Sequence, residues 1–326
     1  DAVGRVLARD IRMDHAMPPF RRAAMDGFAV GDGDAAPGAE LQILGRIAAG
    51  DPPGPAARAG GAWRINTGAV VPEGAPRVIP IEWCDVEGER VLIRACPPGA
   101  AAYVVEAGAH VAEGDVVLAA GRPVETGAIG ILATAGAATL DVARRPRVAV
   151  LPTGTELLPV DAPIEPGRIR NSNAPLLRAQ VRRAGGDAHD LGVASDEMEA
   201  LRALIRRGLE HDVFVLSGGV SKGDLDLVPD ALEAEGVERL FHRWAVQPGG
   251  PLYLGVRDGV LVFGLPGNPA ASFVGFEMLV VPALEALLGR PFRARPSLRA
   301  RYVGPWGRAS NRRRYRPVGL EGDEEG

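Results

Sequence analysis

The sequence predicts an α/β and β multidomain protein: a doubly wound, parallel α/β middle domain, a β-rich N-terminal region and a short C-terminal β piece. Three observations carry this. Up to about residue 142, short Val, Ile and Leu runs sit between Gly and Pro residues, the texture of small twisted sheets. From Arg147 onward, apolar runs of strand length alternate with helical patterns, which argues for a parallel sheet covered on both faces. From Pro291 a basic, strand-like stretch ends in the acidic Glu321–Gly326 and is too short to bury a core of its own. The 326 residues exceed one typical domain, and the expected division is 1–146, 147–290 and 291–326.

The elements follow in order. The opening turns lie around Val3–Arg9; strands are predicted at Trp63–Ile65, Val78–Ile81, Val91–Ile93 and Val116–Leu118, and a helix over Gly127–Thr134. Val148–Leu151 reads as a buried strand ending in Pro152-Thr153-Gly154. Asn173 is a good N-cap for a helix whose face is Leu177, Val181 and Ala184, and Gly185 stops it. The next helix opens with Asp196 and Glu199 in capping-box spacing and carries the stripe Leu201, Leu204, Ile205 and Leu209. Strand Asp212–Leu216 runs into Ser217-Gly218-Gly219. Strand Val260–Leu265 reaches Pro266-Gly267-Asn268-Pro269, with Asn268 suited to cap and Pro269 to the first helical position. The helix beyond is apolar nearly all round, so it is predicted to be buried, and Gly289 ends it.

Composition narrows the function classes. The chain is 46% hydrophobic and 24% charged, an ordinary soluble mixture. Its formal net charge of -4 supplies no drive toward nucleic acid or an anionic membrane, and neither is expected as a partner. Cys84 and Cys96 make neither a disulfide framework nor a zinc set, so a reducing cytoplasm is the expected home. The nearest thing to a membrane span, Phe273–Leu288, is interrupted by Gly275, Glu277, Pro282 and Glu285. The sequence opens in mid-pattern at Asp1, and an earlier segment is expected. Lys222 is the single lysine; every other basic side chain apart from histidine is arginine. Genome composition accounts for that bias, which predicts arginine wherever a function needs a lysine.

In an open parallel sheet, ligands bind beyond the carboxyl ends of the strands. Three loops fit that place: Thr153–Glu156, Ser217–Asp226 and Gly264–Pro269. Glycines allow close backbone approach, and helix starts attract phosphate, although any one such loop is also what a tight turn looks like. Glu156, Asp224 and Asp226 can bind magnesium, which takes one or two carboxylates beside substrate phosphates; helix capping is the competing use of the two Asp residues. There is no GxxxxGK[ST] loop, and no GxGxxG follows a strand. His15, His110, His189, His211 and His242 lack zinc-ligand spacing, and no histidine pairs with Ser217 or Ser221 as a base.

Six ordered motifs then carry a resemblance. Ala23-Ala24-Met25-Asp26-Gly27-Phe28-Ala29 resembles S-A-M-D-G-Y-A, and Thr67-Gly68-Ala69 with Pro72-Glu73-Gly74 resembles T-G-A-x-x-P-x-G. Thr153-Gly154-Thr155-Glu156-Leu157 resembles T-G-D-E-L, and Gly167–Asn173 the G-x-I-x-x-S/T-N that follows it. Ser217–Asp226 and Leu265–Pro269 resemble S-G-G-V-S-x-G-x-x-D and L-P-G-N-P. The chain is similar to the molybdopterin molybdenumtransferases, the MoeA and gephyrin E-domain family, over nearly its whole length. The resemblance implies an elongated homodimer that takes adenylylated molybdopterin and molybdate, uses a divalent cation (magnesium) and releases AMP. It implies two subdomains within 1–146 and a truncated C-terminal β domain. Catalytic roles fall on Asp26, Thr67, Glu156 and Asp226, with Glu156 and Asp226 as the metal ligands. Substrate contacts fall on Thr153, Gly154, Ser217, Gly218, Gly219, Ser221, Lys222, Asp224, Arg243, Pro266, Gly267 and Asn268.

Departures from the family pattern are specific. Its N-I-R and G-E-D-I read here as Tyr103-Val104-Val105 and Gly108-Ala109-His110-Val111. Its K-P-G-K-P, with another lysine four residues earlier, reads as Gln247-Pro248-Gly249-Gly250-Pro251 after Arg243. Arginine bias explains Arg243 but not Gln247 or Gly250, where positive charge is gone. Three readings follow: an active molybdenumtransferase, a non-catalytic paralogue that binds molybdopterin or a maturation partner, and a MogA-like adenylyltransferase. The long β-rich front and the Asp26 motif argue against the last.

Overall fold

The structure, a computed structural model, describes residues 2–31, 33–195, 197–220, 227–290, 296–304 and 311–322. Its contacts fall into two units, one of Asp10–Ala119 with Thr126–Thr139, the other of Asp1–Arg9, Ala120–Glu125 and Leu140–Gly326.

The first unit is built on a six-stranded sheet of β1 (Gly27–Val30), β2 (Glu40–Ile47), β3 (Gly61–Ile65), β4 (Arg77–Pro80), β5 (Cys84–Glu87) and β6 (Arg90–Ile93), in the order β4-β1-β3-β2-β6-β5. The Gly/Pro-punctuated runs thus become strands where expected. Period-two alternation sends Phe28 and Val30 into a cluster with Ile79, Val91 and Ile93, while Ala29 joins Ile47, Ile65 and Val78. A Cβ on Gly27 would collide with the Ile79 carbonyl, so glycine is what lets β1 and β4 pair there. Strand β2 was not visible in the sequence: its alternation breaks at Ile43-Leu44, where a bulge shifts the register against β3. Val116–Leu118 pairs with Ile11–Arg12, and helix α1 covers Thr126–Thr134.

The second unit holds a six-stranded sheet made of β7 (Arg147–Pro152), β10 (Asp187–Asp190), β11 (Val213–Ser217), β12 (Glu238–Phe241), β14 (Tyr253–Arg257) and β15 (Val260–Leu265). Its order is β10-β7-β11-β15-β14-β12; the first four strands run parallel, and β14 and β12 are antiparallel additions. The expected parallel sheet is therefore present with a mixed edge. Short strands β8 (Leu157–Leu158) and β9 (Ile169–Arg170) pair with each other, as do β13 (Val246–Gln247) and β16 (Arg313–Arg314). The C-terminal basic stretch thus adds a strand to this unit.

Both faces of the sheet are covered. Val148, Val150, Val213 and Val215 meet Leu177 and Val181 of α2 (Asn173–Arg183) and Phe276, Val280 and Leu284 of the last helical run. Ala149, Leu151, Phe214 and Leu216 meet Leu201 and Ile205 of α3 (Met198–Gly208) and Val228, Ala231 and Leu232 of α4 (Val228–Ala234). One capping expectation fails, and another rests on a residue outside the described ones. Asn173 is not the cap of α2: Ser172 holds that position, and the Asn171 side chain accepts the Ala174 N–H at 3.0 Å. Helix α3 starts after Glu197 with no side-chain cap bond, Glu199 pairs with Arg202, and Asp196 lies outside the described residues.

The last run is one continuous helical segment, as the sequence predicts, and the residues that interrupt its apolar run do not break it. Helix α5 (Pro269–Gly275) passes through a π turn, Phe276–Val280, into α6 (Val281–Leu287), and Gly289 follows at its end. The wider turn sits immediately before Pro282, whose ring and missing N–H do not fit a regular α-helix interior. Its 19 residues, Pro269–Leu287, are long and apolar enough to cross a membrane by length and composition. Here Phe276, Val280 and Leu284 are packed into the sheet core, and Glu277 is held by Arg183 and Gln180. Such packing is that of a core helix. Phe276→Ala should destabilise this unit by about 3–5 kcal/mol. Phe273→Ala, truncating a side chain 41% exposed one turn earlier, should cost far less; urea titrations of the two variants check the contrast.

Candidate active site

Register explains where the loops meet. Val148 pairs with Val213 and Pro152 with Ser217, and Ser217 in turn pairs with Leu265, so β7, β11 and β15 end side by side. The segments beyond them line one cavity of about 540 Å³. Its walls hold Thr153, Gly154 and Glu156 after β7; Ser217, Gly218 and Gly219 after β11; and Pro266, Gly267 and Asn268 after β15. Nine residues singled out by sequence are thereby brought together. The remaining loop candidates, Ser221, Lys222, Asp224 and Asp226, lie outside the described residues.

Backbone bonds hold the three segments in place. The Thr153 N–H donates to the Ser217 carbonyl at 2.9 Å, Gly218 N–H to the Leu265 carbonyl at 3.1 Å, and Gly154 N–H to Ala194 at 3.2 Å. Gly218, at φ +99°, packs so closely on the Thr153 carbonyl that a side chain there would need the backbone to move. Asn268 caps α5 as expected, its Oδ1 accepting from Ala270 N at 3.0 Å and Ala271 N at 3.2 Å.

The cavity also holds residues that sequence reasoning did not assign to it: Arg170, Asn171 and Asn173. Asn173 Nδ2 donates to Ser217 Oγ at 2.7 Å and to the Gly267 carbonyl at 2.8 Å. The signal was available in Asn171-Ser172-Asn173, where two asparagines compete for one cap. Among the described residues, Glu156 is the single carboxylate and Arg170 the single guanidinium on the cavity wall. No group of three or more potential metal ligands occurs among the described residues.

Asp26 and Thr67, both exposed and both in the other unit, do meet each other. Asp26 Oδ1 accepts the Thr67 N–H at 2.6 Å and the Thr67 hydroxyl at 2.8 Å. Those two bonds hold the Asp26 carboxyl below its ordinary range, with smaller help from Asn66 and Arg46 against the effect of desolvation. Arg46 in turn donates to Asn66 Oδ1 through Nε at 3.2 Å and Nη2 at 3.1 Å. Burial pushes the Cys84 thiol up to about 11, so it is no thiolate nucleophile near neutral pH.

The charge-depleted segments are also placed. Val104–Val105 pairs with Arg22–Ala23, so that Arg22 lies opposite Val105. Arg243 is exposed between β12 and β13. Gln247 lies opposite Arg314 in the β13–β16 pair. The Trp244 indole and N–H donate to the Gly249 and Gly250 carbonyls at 2.6 and 3.1 Å, folding the 247–251 turn over. A Cβ on Gly250 would stand 3.7 Å from Arg312 Nη1, so an arginine of the C-terminal strand flanks this turn.

Comparison with known proteins matches residues 1–136 to the family model "MoeA N-terminal region (domain I and II)" and residues 149–286 to "Probable molybdopterin binding domain". A molybdopterin molybdenumtransferase of Bacillus subtilis is 38% identical over 299 residues, covering 88% of this chain and 69% of the relative. One of Staphylococcus epidermidis is 35% identical over 295 residues, covering 89% and 70%. A crystal structure of the molybdopterin biosynthesis moea protein from Pyrococcus horikosii aligns with a TM-score of 0.78 at 35% identity, covering 89% of this chain and 74% of that one.

The Asp26–Thr67 pair yields a direct test. Thr67→Val removes the hydroxyl donor and keeps the backbone one, so the Asp26 pKa should rise part of the way toward its ordinary value. Because the folded pKa is depressed, this carboxylate stabilises the fold at pH values above its unfolded pKa. That contribution fades as pH falls through the folded one, and the variant should lose it at a higher pH. Side-chain carboxyl NMR titration of both proteins reads the shift; equal Asp26 midpoints would show that the hydroxyl contributes nothing.

Proposed function

The chain belongs to the MoeA family of molybdopterin molybdenumtransferases, and we propose from that premise that it inserts molybdate into adenylylated molybdopterin with magnesium-dependent release of AMP. The observation that carries the reading is the cavity itself, where three βα segments and Glu156 converge within the region matched to the molybdopterin-binding model. Its volume suits a pterin-sized ligand. The family membership disfavours the reading as a non-catalytic paralogue.

Each residue has a task in this scheme. Gly218 and Gly219 leave the backbone bare for close approach of the substrate, and Asn268 keeps the 266–268 turn at the start of α5. Arg170 offers a cation to the phosphate-bearing end of the substrate. Glu156, with Asp226 as its proposed partner, would hold magnesium; one wall carboxylate beside substrate phosphates fits the way that ion is usually bound. When bound, it would neutralise charge on the diphosphate and orient the bond to be cleaved. Asp26, whose Thr67 bonds lower its pKa further below the ordinary carboxylate range, is assigned to the same reaction as a charged carboxylate. We also propose that the protein works as a homodimer; light scattering at micromolar concentration should give twice the chain mass. Two free cysteines accord with a reducing compartment.

Two measurements test the chemistry. Asp226→Asn should abolish magnesium-dependent AMP release in a folded protein; turnover within a few-fold of native would make Asp226 a helix cap, whose loss costs about 1 kcal/mol. The second concerns Gln247 and Gly250, where the resemblance places lysines. Two missing charge-assisted hydrogen bonds, at about 1.5–3 kcal/mol each, raise a dissociation constant by two or more orders of magnitude. Gln247→Lys with Gly250→Lys should therefore lower the molybdate concentration needed for turnover. Native activity at micromolar molybdate, with no gain from the double substitution, would assign the role to another cation, with Arg312, Arg243 and Lys222 the ones to replace next.

A further inference from the structure

We infer that Asn173 is the positioning residue of this cavity: one amide group, by clamping the Ser217 hydroxyl and the Gly267 carbonyl, makes a single binding surface of segments far apart in sequence. The inference rests on the functional reading above and adds to it a residue given no role there.

The helix does not need this side chain. Asn173 occupies the first position of α2, and the capping bond is supplied instead by Asn171. Asn173 is nevertheless 8% exposed, and both protons of its Nδ2 are used. One goes to Ser217, 44 residues away, and the other to Gly267, 94 residues away. Ser217 Oγ also stands 3.3 Å from the Pro266 carbonyl, which takes the hydroxyl proton, so the oxygen faces Asn173 as an acceptor. The start of α2, the end of β11 and the turn after β15 are thereby bonded through side chains as well as through strand pairing.

This network decides which groups remain for a ligand. The hydroxyl proton of Ser217 is spent inside the protein and serves the site by holding Pro266 and Gly267 in place. The bare backbone of Gly218 and Gly219, immediately beyond, is presented at a height set by that brace. Among the described residues the Oδ1 of Asn173 has no hydrogen-bond partner, and it is fully covered. A buried, half-satisfied amide is a poor choice for stability alone, since an apolar side chain would leave no orphan acceptor. Its two donors are what the position gains, and both act on cavity walls.

The experiment compares Asn173→Ala with Leu177→Ala in the full chain, reading the dissociation constant for adenylylated molybdopterin and the melting temperature. Leu177 is buried one turn further along α2 and is not on the cavity wall, so Leu177→Ala should lower the melting temperature while leaving affinity within twofold of native. Asn173→Ala should weaken binding tenfold or more, and Ser217→Ala added to it should change affinity by less than twofold further. Asn173→Asp, which keeps the volume but removes both donors, should weaken binding to a similar extent and serves if the alanine variant does not fold. Binding by Asn173→Ala or Asn173→Asp within twofold of native, or an equal loss of affinity in Leu177→Ala, overturns the inference while leaving the functional reading intact. A native chain with no measurable affinity for the compound overturns both.

Discussion

Parallel pairing of β7, β11 and β15, in a register that brings Pro152, Ser217 and Leu265 to one edge, is the constraint on which the site depends. In a parallel sheet every strand presents its carboxyl end on the same side, so the following segments must emerge together. Apolar side chains set that register. Val148, Val213 and Val215 bury on one face and Ala149, Phe214 and Leu216 on the other, and a slip of one residue would turn each of them to the wrong helix layer. The antiparallel strands β14 and β12 extend the sheet beyond β15, on the side away from β7. They leave the aligned ends of β7, β11 and β15 in place.

Buried polar groups in this unit are handled in two ways. The buried carboxylate of Glu235 is matched by Arg202 and Arg206, and Asp212 takes two bonds from Arg144 and one from the Arg147 N–H. These are closed arrangements whose effect is local. Other buried groups have no partner among the described residues: Thr153 Oγ1 and Asn173 Oδ1 at the cavity, and Gln180 Oε1, Tyr253 OH and Ser272 Oγ away from it. Unmatched groups are thus not confined to the cavity wall.

Much of this was legible because the signals were strong and local. A buried strand followed by a glycine-bearing turn is short-range information, and Val148–Leu151, Asp212–Leu216 and Val260–Leu265 all became parallel strands within a residue or so. Asn268 capped as its spacing suggested, its side chain taking the Ala270 and Ala271 N–H groups. Asn173 did not, because tertiary bonds to Ser217 and Gly267 outbid a local cap that Asn171 could supply equally well. Strand β2 was hidden by the bulge at its centre, and β10, Asp187–Asp190, by having no fully buried residue. The convergence of Glu156 with Gly218 and Gly267 was implied by topology, but the Asp26–Thr67 bond was not: 41 residues separate them, and no periodicity links a turn to a turn.

The 19-residue apolar helix contains one acid that is nearly covered, Glu277, held by Arg183 and Gln180 of α2. During synthesis the amino-terminal part of a chain leaves the ribosome first, and domains fold as units. Arg183 therefore emerges 94 residues ahead of its partner. When the greasiest stretch of the protein appears, the cation that claims its one interior charge is already waiting. An isolated copy of the same segment would carry an uncompensated acid into any lipid or aggregate it met, whereas in this chain docking onto α2 neutralises it. The contact thus pairs the one nearly covered acid of a segment with membrane-like hydropathy to a helix of its own fold.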